Sequence, residues 1–320
     1  MRRRLTNVAR SLGLVSVLAL SACASVPSGR LAVDRMDYGQ VIAESWKRQT
    51  LLNVVRMRYA DAPVFLDVTS VINSYSLAGN VSAGGSVTNG LAGDTLQVGA
   101  GGSWSNTPTV TYQPLMGDRF TRSLLQPIPP AAVFQLMQGG WPTDLVMKTT
   151  VKSINGVRND TFGIGGDAAF RELLDAVSRL QRAGGLGNRI ETRKDGSALI
   201  LVLQGQREDA AAQDVSRVRE LLRLEQGLTE VEVVYGLAPR SGREVAMITR
   251  SMLEIMLEMG LGVDLPATHE STGRALPGRG QAGDAPVTPL VRIRSGNAMP
   301  ADAFVGASYR GQSYWIDDTD

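Results

Sequence analysis

The sequence predicts an α+β protein: an N-terminal helix, a long Gly/Ser-rich β-hairpin, a helical segment, then an αββαβα layer with a short C-terminal strand pair. Three observations predict it. Residues 75–106, "YSLAGNVSAGGSVTNGLAGDTLQVGAGGSWSN", alternate with period two and fold back on a "TNGLAGD" turn. Residues 161–265 alternate helical stripes with short apolar strands. Residues 266–289 are rich in Pro, Gly and Ala and precede two strand-like runs, in 290–320.

The chain begins "MRRRLTNVARSLGLVSVLALSACAS". Arg2, Arg3, Arg4 and Arg10 precede a short apolar run, Leu12 to Leu20, too short to span a bilayer as a helix. This is the pattern of a secretory signal peptide, residues 1–22. "LSAC", Leu20 to Cys23, resembles the lipobox of bacterial lipoproteins. The resemblance implies cleavage before Cys23, a diacylglycerol thioether on its sulfur and acylation of the new N-terminus. Ala24 after the cysteine implies, for a Gram-negative lipoprotein, sorting to the outer membrane, facing the periplasm. Cys23 is the only cysteine, so no intrachain disulfide is available to an exported chain. Taking the four leader arginines from 33 Lys+Arg leaves 29 against 31 Asp+Glu, a mature chain near −2. That balance gives no footing for nucleic acid.

Residues 23–36 read as a lipidated tether and 37–160 as a helical region carrying the hairpin. In "DYGQVIAESWKRQTLLNVVRMRYA", Tyr38, Val41, Ile42, Ser45, Leu52, Val55 and Tyr59 approximate one helical face, and Pro63 ends it. "VFLDVTSVINSYSL" reads as a strand entering the hairpin. After the hairpin, Pro130 starts one helix, stopped by Gly139 and Gly140, and Pro142 starts another that runs to Gly156. Asp167 is placed as the cap of "AAFRELLDAVSRLQRA". "RIETRK" and "ALILVLQ" form a hairpin about Asp195-Gly196, Asp214 opens the next helix, "TEVEVVYG" is a strand, and Ser241 with Glu244 makes a capping box before "VAMITRSMLEIMLEMG".

The hairpin carries the functional expectation. Between Asp67 and Asp118 the sole charge is Asp94, in the turn. Tyr75, Leu77, Val81 and Val87 share one face of the first strand, and Leu96, Val98 and Trp104 share one face of the second. The opposite faces are Ser, Thr, Asn, Gln and Gly. Such strands suit a membrane β-hairpin, apolar side to lipid and polar side to water. One hairpin cannot close a barrel, so several copies would each contribute one. That architecture is similar to the lipoprotein pore of the curli secretion channel. A hairpin packed in a soluble protein and a flexible loop remain alternatives.

No catalytic constellation emerges. His269, the only histidine, lies in "PATHESTG" and reads as a solvated loop residue. No metal-ligand spacing, P-loop or nucleophile elbow appears, so no cofactor or metal is expected. "FGIGGD" could offer amides to an anion but reads better as a loop and cap. Met247, Met252, Met256 and Met259 read as a core stripe on one helix, with a partner groove as the alternative. Two stretches, "LLNVVRMRYADAPVFLDVTSVINSYSL" and "TVTYQPLMGDRFTRSLLQPIPPAAVFQLMQGGWP", look like those of a family of uncharacterised Gram-negative envelope lipoproteins. The resemblance implies no activity; the anchor and the hairpin together give the expectation of a structural, assembly or transport component of the envelope, with homo-oligomeric or envelope-protein partners. The competing expectation is a carboxylate-dependent periplasmic hydrolase acting on cell wall or glycan.

Overall fold

The structure is a computed structural model that describes residues 28–86, 95–160, 165–193, 196–204, 210–275 and 289–320. They fall in two compact units, one up to Gln49 and one from Thr50 onward. Helix α1 (Ser28–Arg58) starts inside the stretch read as a tether; Arg, Leu and Ala there are good helix formers. Within the second unit its last turns bury Leu51, Val54 and Val55. It stops at Arg58, before Ala60 turns left-handed (φ 58°).

The long hairpin follows, β1 (Leu66–Ser86) paired antiparallel with β2 (Thr95–Pro114). It forms a two-stranded sheet of its own. Helix α2 (Gly117–Phe120) runs into a single π-turn. Helices α3 (Pro130–Gln138) and α4 (Thr143–Thr150) come next, with prolines at or just before their first turns. α4 does not reach Gly156. The β-branched run Thr149-Thr150-Val151 turns the chain into β3 (Val151–Ile154), and Asn155-Gly156, both at positive φ, fold it back to β4 (Val157–Arg158).

The main sheet has six strands in the order β4-β3-β8-β7-β6-β5. β5 (Leu186–Arg193) and β6 (Gly196–Leu203) form the expected hairpin, whose turn residue Asp195 lies outside the described residues. β7 (Glu230–Tyr235) runs antiparallel to β6 and parallel to β8 (Glu244–Thr249). One sheet face buries Leu199, Leu201, Val231, Val233, Val245 and Met247 against α3, α4, α5 (Ala168–Arg182) and α6 (Ala210–Leu221). The other face carries ion pairs from Arg189 to Glu230 (2.7 Å) and from Arg193 to Glu232 (2.8 Å).

β8, like β3 and β4, is a strand the sequence reading did not include. Residues 244–249 were expected to begin a helix; instead Val245, Met247 and Thr249 alternate into the core. Ser241 and Glu244 still bond locally, to Arg243 N and Arg240 N, but in a turn. The true capping box lies ten residues on, where Ser251 and Glu254 exchange side-chain-to-backbone bonds at the start of α7 (Met252–Gly260). Asp214 likewise does not open its helix. α6 is already under way at Ala210, and Asp214 accepts from the Arg179 guanidinium at 2.7 Å.

A second core joins the end of α1 to α7 and the C-terminal strands through Val54, Val55, Met256, Ile293, Val305 and Tyr314. Those strands number three, β9 (Arg294–Gly296), β10 (Ala303–Tyr309) and β11 (Gln312–Asp317), because Arg310-Gly311 folds "VGASYRGQSYWID" into a hairpin. Gly262 permits the close approach here: a Cβ on it would lie 2.2 Å from Val291 O.

Candidate membrane hairpin and buried polar cluster

The register sets Leu77 opposite Trp104, Val81 opposite Ala100, Val98 opposite Ala83 and Leu96 opposite Gly85, with Tyr75 opposite Asn106. Residues directly opposite share a sheet face, so the apolar alternation of the two strands falls on one side. Cys23, Val87 and Asp94 lie outside the described residues.

The ribbon is longer than the alternation alone revealed. Tyr75 and Trp104 were expected at its open end, yet pairing continues to Leu66 and Pro114. A bulge intervenes at Thr69: Val68 faces Tyr112, while Ser70 faces Thr111. The extra residue restores phase. It keeps Leu66 and Val68 on the face of Val71, Val110 and Tyr112, and Asp67 on the polar face. Without it, the lower third would present its apolar residues on the wrong side. Ile72 is the one large apolar residue on the polar face, and it is 57% exposed.

The polar face is built of small groups that lie flat. Ser82 Oγ donates to Gly99 O and Ser103 Oγ to Ala78 O, each at 3.4 Å, and Thr69 Oγ1 donates to Thr111 O at 3.2 Å. A Cβ on Gly99 would sit 2.8 Å from Ser82 Oγ. Among the described residues of the ribbon, charge appears only at the base. Arg119, just past the hairpin, donates to Asp67 Oδ2 and to Gln113 Oε1, both at 2.9 Å. Phe65 O and Leu115 N close the base at 2.9 Å. Among the described residues no third strand joins the ribbon's sheet.

No protein-family model, curated sequence or solved structure matches the chain.

The hairpin's capacity therefore follows from its own residues. A two-stranded ribbon is marginal in water by itself, and an open edge templates further strands. An apolar face opposite a polar one, on strands ending in open edges, is the form of one segment of a barrel wall. No described helix is long and apolar enough to cross a membrane.

A second polar assembly was missed from sequence. His269 is 6% exposed rather than solvated, on a short helix α8 (Ala267–Ser271) within the expected linker. Its Nδ1 lies 2.6 Å from Tyr59 OH, which lies 2.5 Å from Tyr314 OH. Burial, then the Tyr59 hydroxyl, push the Tyr314 phenol above its ordinary pKa. Arg310 stacks over the Tyr59 ring at 5.0 Å and pairs with Asp61 at 3.1 Å. Arg58, buried alongside, reaches Glu270 at 3.4 Å, and desolvation lowers its pKa despite Glu270. These groups are mutually bonded and tie α1, α8 and the C-terminal sheet together. Only Tyr59 at the end of the amphipathic run hinted at burial; its partners lie more than 200 residues away.

Of the other singled-out motifs, "FGIGGD" has its first three residues, 162–164, outside the described residues. Gly166 N donates to Asp160 Oδ1, so that amide is already used. Asp167 makes no cap bond; its carboxylate accepts from Arg158 N and the Arg158 guanidinium, which hold it below the usual carboxylate range. The four methionines do not share a helix. Met247 is in β8, Met256 is in the second core, Met259 packs beside it, and Met252 is exposed. Among the described residues no cluster of His, Cys, Asp and Glu is arranged to hold a metal.

Proposed function

We propose that the chain is an outer-membrane lipoprotein, anchored through Cys23, that assembles with copies of itself and inserts the β1–β2 hairpin into the membrane as part of an envelope transport or assembly device. The observation that carries this reading is the ribbon itself: by register its large apolar residues gather on one face and its hydroxyl and amide residues on the other, with Ile72, Asn73 and Asn106 as the exceptions, and no third described strand pairs with either edge. From the Leu77–Trp104 pair to the end of the described pairing, each strand has ten residues, Leu77–Ser86 and Thr95–Trp104. A tilted membrane strand needs roughly 9–11. Aromatic residues at the lower border of that band suit the membrane interface. Neighbouring copies would pair edge to edge, satisfying the backbone groups that lipid cannot.

The reading requires Asp94 to cross to the outer side, since Cys23 holds the N-terminus on the inner one. Asp94→Cys places a free thiol at the tip while the Cys23 sulfur is blocked by lipid. A membrane-impermeant maleimide should label that thiol on intact cells. Labelling only after the outer membrane is opened would leave a periplasmic hairpin and end the proposal.

A further inference from the structure

We infer that the polar face of the hairpin lines a water-filled passage whose charge selectivity is set by the Asp67–Arg119 pair at its base. The inference rests on the membrane-hairpin reading and goes further, naming a gate and the class of solute it admits. Three observations support it. First, the face is furnished with hydroxyl, amide and glycine groups, and Ser76, Ser82, Ser103, Ser105 and Thr107 are all exposed along it. Such groups solvate a passing solute without preference for sign. Second, the only charged residue of either strand is Asp67, and the bulge at Thr69 puts it on this face, opposite Gln113. Third, Arg119 is fixed across that pair by 2.9 Å bonds to both residues. Its own guanidinium supplies the balancing charge.

In a ring of copies the pairs form one circle of alternating sign at the inner mouth. The two side chains are half-exposed, 46% for Arg119 and 35% for Asp67, so the circle meets the solvent of the passage. At physiological salt, alternating charges a few ångströms apart cancel within a Debye length of about 8 Å. The mouth then admits neutral and mixed-charge hydrophilic solutes alike. Removing one partner leaves a ring of a single sign, the arrangement that makes a pore select cations or anions.

The test uses the full lipidated protein in planar bilayers under a KCl gradient, with reversal potential as the readout. Relative to the parent chain, Arg119→Gln should shift the potential toward cation selectivity and Asp67→Asn toward anion selectivity. The double variant should return to the parent value. A purely structural role for the pair would make the two single variants behave alike. Conductance whose reversal potential is unchanged in all variants, or shifts the same way in both singles, overturns the inference and leaves the pore. Absence of conductance from every variant overturns the membrane-hairpin reading, and this inference with it.

Discussion

Tyr59 shares one hydroxyl between a histidine and a second tyrosine, so a single oxygen joins the end of α1 to two elements from the other end of the chain. The arrangement is buried, and a phenylalanine in its place would leave both partners short of a bond. Tyr59→Phe should lower unfolding free energy by about 1–3 kcal/mol; urea denaturation checks it, and an unchanged midpoint would show the bonds to be replaceable. Asn53 works similarly nearby. It is fully buried, and its amide both donates to Val64 O (2.8 Å) and accepts from Val64 N (2.9 Å), steering the chain toward β1. None of these partnerships was legible in the sequence. A Pro- and Gly-rich neighbourhood made His269 read as solvent-facing, because local pattern carries no information about partners 210 residues distant. Asp214 misled for a related reason: a cap and an ion-pair partner look alike until the fold brings up Arg179.

The elements were legible in proportion to how regular their side-chain period is. α5, with its stripe of Phe170, Leu173, Leu174, Val177 and Leu180, and the β5–β6 hairpin were readable residue by residue. β8 was not, because Ser241 and Glu244 imitate a helix start immediately before a strand six residues long. The first strand of the long hairpin was readable from its start, but its pairing was readable only down to Tyr75. Below it the Thr69 bulge reverses the odd-even phase, and Pro108 and Pro114 interrupt the strand-like composition of β2. The upper half makes the prediction for this scale. Val81 and Ser82 are neighbours on opposite faces. Arg at position 81 should oppose membrane insertion by about 2–4 kcal/mol per copy, whereas Arg at 82 should be tolerated in a water-filled interior. Surface labelling of the tip thiol in each background reads the difference; equal loss at both positions would argue against a two-faced membrane strand.

At the scale of the molecule, the proposal joins a leader and lipobox-like stretch at the N-terminus to a ribbon that has no third strand among the described residues. Palmitate should label the chain and fail to label Cys23→Ala. That unlipidated form should still associate, since the ribbon's edges do not depend on the anchor, and sedimentation velocity should show species that grow with concentration. A monomer at every concentration would count heavily against assembly through the hairpin. The absence of charge from Val68 to Gly93, at first sight a peculiarity of composition, becomes on this reading a condition for entering lipid at all. The two unpaired edges carry a further consequence. Join two such ribbons side by side and the pair still has two edges; lengthen the row and it still has two. Each added copy hides one edge of the row and presents another, so an open row of any length keeps two exposed edges of its own. Only the step that brings the last ribbon against the first removes both at once. An open arc is thus as adhesive as a lone subunit, and its persistence gains nothing from its size. The population should divide between single chains and completed circles, with arcs passing quickly from one to the other.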